Sequence, residues 1–103
     1  MKIHVAGIAE NPVSLMRRAG YAFQHEEGGE MSFVRALGQS GYPRFHCYTK
    51  LDKVSLLVHL HLDQKKHTYG AGTRHHGEYE DSEAVTEEAS HLLKVFGEKA
   101  KII

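Results

Sequence analysis

One cysteine, no net charge and no long apolar run: each shortage removes a class of function. With Cys47 as the sole cysteine, no disulfide can form within the chain. Its strand-forming neighbours predict a buried, unreactive thiol, and a reducing compartment fits such a residue, so the cytoplasm is the expected location. Thirteen Lys and Arg balance thirteen Asp and Glu, which leaves no long-range field to attract nucleic acid or an anionic membrane. Binding of either would have to come from local clusters. No apolar stretch approaches the ~20 residues that a spanning helix needs. The first residues also lack the basic-then-apolar order of a secretion signal, so no membrane partner is expected.

What is present is ordinary globular material with one outlier. At 103 residues, 41% hydrophobic and 25% charged, the chain predicts a single domain over residues 1–103 with one core. The outlier is histidine, with nine copies. Imidazole is the commonest metal ligand and the side chain that titrates nearest neutral pH, so metal or acid–base chemistry is the first thing to look for.

Local patterns predict the elements. Ile3 and Val5 alternate with Lys2 and His4, as in a short first strand. Asn11 before Pro12 is a helix start, and Gly20 ends a helix over Pro12 to Ala19. The turn composition of Glu26-Glu27-Gly28-Gly29-Glu30 separates a strand at Tyr21 to His25 from another at Met31 to Leu37. Two longer strands, Tyr42 to Leu51 and Val54 to Asp63, leave only Asp52 and Lys53 as a hairpin loop. Residues 64–80 read as a long loop, and Asp81 or Ser82 caps a final helix in which Val85, Ala89, Leu92 and Phe96 share a face, ending at Gly97. The expected fold is α+β, with two helices packed on one face of a three- to four-stranded antiparallel sheet.

That hairpin register sets one apolar face, with Thr49 opposite Leu56, Cys47 opposite Val58 and Phe45 opposite Leu60. Its polar face brings His46 opposite His59, Arg44 opposite His61 and Tyr42 opposite Asp63. His59-x-His61-x-Asp63 with His46 is a candidate metal set, zinc being the ion that imidazole and carboxylate suit, and His75 or His76 could complete it. The plainer reading is that these imidazoles simply pack and hydrogen-bond on a half-solvated face.

Two functional readings share this surface. In the first, a small binding protein takes a ligand or RNA on a face carrying Arg44, His46, Tyr48 and Arg74. Cations Arg35, Lys50, Lys65 and Lys66 and rings Phe33, Tyr42 and Tyr69 would assist, since rings stack on bases and cations meet phosphate. In the second, His59 and His61 are catalytic in a small hydrolase or a nucleotidyl- or phosphodiester-acting enzyme, with or without metal. His59-Leu60-His61-Leu62 resembles part of the alternating pattern of histidine-triad nucleotide hydrolases. Asp63 stands where their third histidine would be, and nothing else in the chain matches, so membership is not assigned. An exposed sheet edge could also pair with a second copy to give a homodimer.

Overall fold

In a computed structural model, residues 1–64 and 82–103 are described. Eight elements follow one another: β1 (Lys2–Val5), α1 (Pro12–Arg18), β2 (Ala22–Glu27), β3 (Glu30–Ala36), β4 (Arg44–Asp52), β5 (Ser55–Asp63), α2 (Glu83–Phe96) and β6 (Ala100–Ile102). The strands form one antiparallel sheet in the order β2-β3-β4-β5-β1-β6. This overturns the expected three- to four-stranded sheet. Among the described residues the sheet has six strands and dominates the structure, with one of two helices only seven residues long. β6 has no counterpart among the expected strands, and the expected segments at Lys2 to Val5 and Tyr21 to His25 prove to be full members of the sheet, as β1 and β2. β6 is only three residues long, too short to carry an alternating run, while β1 is four residues and β2 is exposed at every residue.

Both helices cover one side of the sheet. Leu15 and Met16 of α1 and Val85, Ala89 and Leu92 of α2 pack against Ile3, Val5, Phe33, Phe45, Cys47, Leu56, Val58, Leu60 and Leu62. The helix ends follow the sequence. Asn11 accepts from the Ser14 amide at 2.8 Å, and Ser82 from that of Val85 at 3.2 Å, each satisfying a free amide of the first turn. Asn11→Ala is therefore expected to cost about 1 kcal/mol in chemical denaturation, the usual worth of an N-cap. At the other end of α1, His91 reaches across from α2 to the Ala19 carbonyl at 3.0 Å and ties the two helices together.

A buried polar cluster joins α2 to the sheet on this same side. Glu88, on α2, accepts from the Tyr21 hydroxyl at 2.7 Å and pairs with the Arg35 guanidinium from β3. Burial pushes the Tyr21 phenol well above its ordinary value, with the Cys47 thiol and Glu88 adding to the shift. Burial likewise raises the thiol of Cys47, which keeps it protonated and unreactive.

Two hairpins set the register. Gly28 and Gly29, with φ of 60° and 83°, form the two-residue turn between β2 and β3. Positive φ at both central positions is what glycine permits there. Between β4 and β5 the closing pair is Asp52 with Ser55, so the loop is Lys53-Val54 and the expected Asp52-Lys53 loop is displaced by one residue. Partners consequently shift by two. His46 faces His61, Tyr48 faces His59 and Arg44 faces Asp63, in place of the expected His46 with His59, Arg44 with His61 and Tyr42 with Asp63. A shift of two leaves every side chain on its expected face. Lys53 adopts a φ of 58°, unfavourable for a residue with a Cβ, so Lys53→Gly is expected to stabilise the protein by about 0.5–1 kcal/mol in thermal melts.

Candidate functional site

The side of the sheet away from the helices carries the chemistry. Alternation along each strand places Arg44, His46, Tyr48 and Lys50 of β4, His59, His61 and Asp63 of β5, Ser32 of β3 and Lys2 of β1 on it. Among the described residues, no helix lies over this side.

Four rings form a ladder across β4 and β5. His46 and Tyr48 have ring centroids 4.4 Å apart, Tyr48 meets His61 edge-on at 5.7 Å, and His61 lies 4.1 Å from His59. Arg44 flanks the ladder with its guanidinium 4.6 Å above the Tyr42 ring. Partial burial raises the Tyr48 phenol above its ordinary value, helped by the Asp63 and Glu30 carboxylates and opposed by Arg44. Tyr48 therefore stays a neutral ring and hydrogen-bond donor.

A chain of polar contacts runs beside the rings. With its proton on Nδ1, His46 donates to Asp63 Oδ2 at 3.2 Å, and Arg44 Nε donates to the same oxygen at 3.3 Å. His46 Nε2 lies 2.6 Å from Ser32 Oγ, and that hydroxyl lies 3.1 Å from Gln24 Oε1. The His46 contact holds the Asp63 carboxyl below its ordinary value; desolvation opposes this and Arg44 assists. A carboxylate depressed in the folded state adds stability above its unfolded value, near 3.8, and loses it as pH falls through the lower folded one. Acid unfolding below about pH 4 should therefore have a shallower dependence on pH in Asp63→Asn than in the parent protein.

The structure brings Arg44, His46, Tyr48, His59, His61 and Asp63 together on one surface, as expected from their alternation. Two members of the wider expected set lie elsewhere. Phe33 is buried in the core, and Arg35 serves Glu88 on the helical side, because both fall on the other phase of β3. Arg74, His75 and His76 lie outside the described residues, as do Lys65, Lys66 and Tyr69. The expected zinc set of His46, His59, His61 and Asp63 does not close around a point. Among the described residues, no three His, Cys, Asp or Glu side chains are grouped so as to hold one ion.

Ser32 and Gln24 were not legible as site residues. Ser32 interrupts an apolar strand at Met31-Ser32-Phe33-Val34, which fixes its face. Its contact with His46 depends on the β3–β4 register, and that pair is joined by residues 37–43, a connection too long to dictate register. No known family model matches this chain, and no curated protein or solved structure is significantly similar to it.

Proposed function

We propose that this chain binds single-stranded RNA across the open sheet face. The observation that carries the reading is the ring ladder in which Tyr48, His61 and His59 are partly open to solvent, with His46 buried behind Tyr48 and Arg44 at its end. Successive bases stack on ring faces whatever their sequence, while a guanidinium meets phosphate. A ladder spread over two strands of a flat face suits an extended ligand better than a compact one.

Charge sets the expected strength. Among the described residues, Lys2, Arg44 and Lys50 are the lysines and arginines that strand alternation places on this face, against Asp63 and Glu30. Two to three phosphate contacts give a slope of log affinity against log salt of about −1.4 to −2.1. Binding should thus be modest and carried largely by stacking.

Fluorescence anisotropy with a labelled single-stranded RNA tests this. Tyr48→Ala is expected to weaken binding about 5- to 150-fold, the equivalent of 1–3 kcal/mol for one stacked base. Arg44→Ala should flatten the salt slope by about 0.7. Absence of binding at low salt, or binding indifferent to both substitutions, defeats the proposal. Electrophoresis of the same RNA reads the alternative, in which His59 and His61 cleave it: shortened products that vanish in His59→Ala and His61→Ala favour the enzyme.

A further inference from the structure

Serine is a poor nucleophile until a base stands within hydrogen-bond reach, about 2.6–3.2 Å, and a third group orients that base. Ser32, His46 and Asp63 meet this geometry. Ser32 Oγ is 2.6 Å from His46 Nε2, and His46 Nδ1 is 3.2 Å from Asp63 Oδ2. Three neighbouring strands hold the arrangement. The pair Ser32–Tyr48 lies two steps along the ladder from Val34–His46, and Arg44–Asp63 two steps along from His46–His61. We infer that Ser32 is an activated nucleophile, with His46 as its base and Asp63 orienting the imidazole, and that the site acts on simple carboxylic esters.

A second observation points the same way. Strand β2 is irregular at one place, between Phe23 and His25, so that Gln24 is an extra residue against β3. Such bulges re-aim side chains and recur beside active sites. Here the bulge accompanies a Gln24 amide whose Oε1 accepts from the Ser32 hydroxyl at 3.1 Å. The amide has two N–H groups, and its O and N ends exchange by rotation about the last side-chain bond. As placed, Oε1 accepts from the Ser32 hydroxyl; exchanging the two ends turns an N–H toward Oγ, leaves the hydroxyl proton for His46 Nε2 and supplies a donor beside the oxygen that develops negative charge.

Access depends on Gln24 as well. Ser32 is only 1% exposed, whereas β2 is an edge strand whose residues are all exposed. The β2 edge is thus the side from which an ester reaches Oγ, with the Gln24 amide at the entrance.

The reaction closes on groups present in the chain, the ester and water. Ser32 Oγ attacks the carbonyl carbon and its proton passes to His46 Nε2, while the carbonyl electron pair moves to oxygen and is met by the Gln24 amide. Collapse breaks the bond to the alcohol oxygen, which leaves with the proton from His46. Water then adds to the acyl carbon and gives its proton to His46. The second collapse frees the carboxylic acid, and Ser32 recovers its proton.

The test uses the full, untagged chain and an alkyl fluorophosphonate, which forms a P–Oγ bond with an activated serine and expels fluoride. Mass spectrometry is expected to find one adduct per chain, on Ser32, absent from Ser32→Ala. The labelling rate should fall about 10²- to 10⁴-fold in His46→Gln, the span of general-base catalysis. No adduct on the parent protein, an adduct on another residue, or a rate unchanged in His46→Gln overturns the inference. The parent protein decides the first two outcomes without any variant having to fold. RNA affinity is measured separately, so failure here leaves the proposed function standing.

Discussion

Phe33→Ala should lower stability by about 3–5 kcal/mol, the usual cost of emptying an aromatic site in a packed interior. Phe33 is fully buried in the core cluster and meets the ring of Phe23 edge-on, with centroids 5.6 Å apart. Small domains hold only about 5–15 kcal/mol in total, so the variant is expected to be unfolded, or nearly so, at body temperature. Urea unfolding followed by circular dichroism checks this, and a loss below about 1.5 kcal/mol would mean that the core closes over the gap. The comparison with Tyr48→Ala is informative, since Tyr48 lies on the opposite side of the same sheet and is only half-buried. About 1 kcal/mol or less is expected there, which leaves that variant folded for binding experiments.

Glu88→Ala is the second large effect. Its carboxylate is nearly inaccessible and serves two donors, the Tyr21 hydroxyl and the Arg35 guanidinium. Removing it leaves the buried Tyr21 hydroxyl without this acceptor, at a cost of about 1–3 kcal/mol. Breaking a fully buried ion pair costs about 3–5 kcal/mol, but the Arg35 side chain is 33% exposed and can recover water, so the smaller figure of about 2–4 kcal/mol is expected for the whole substitution. For a domain of this size that is a fall in Tm of about 10–25 °C. Adding Tyr21→Phe removes the orphaned hydroxyl, and the double variant should lose much less stability than the sum of the two single losses. Strict additivity would show that the two groups do not share this carboxylate.

The faces of β4 and β5 could be read from the sequence because side chains alternate with a period of two and the apolar set keeps one phase from Phe45 to Leu62. The cross-strand partners could not. Asp52-Lys53 and Lys53-Val54 are equally poor loop dipeptides, neither holding the glycine that would mark the turn, and the choice between them moves His46 from His59 to His61. By contrast, Gly28-Gly29 states its turn outright. The helix caps at Asn11 and Ser82 were visible because capping is local. The last strand was not, since β6 is three residues long and relies on pairing with β1, nearly the whole chain away. The contact between Ser32 and His46 was hidden for the same reason, being a product of non-local pairing.

β1 sits between β5 and β6, with Ile3 opposite Val58 on one flank and Ile102 on the other. β1 thus waits for a partner nearly a hundred positions later before both its flanks are occupied. Such long-range closures make folding slow, on the order of milliseconds to seconds. Until β6 docks, the β1 edge offers unpaired backbone amides and carbonyls, an open edge of the kind onto which another chain can add a strand.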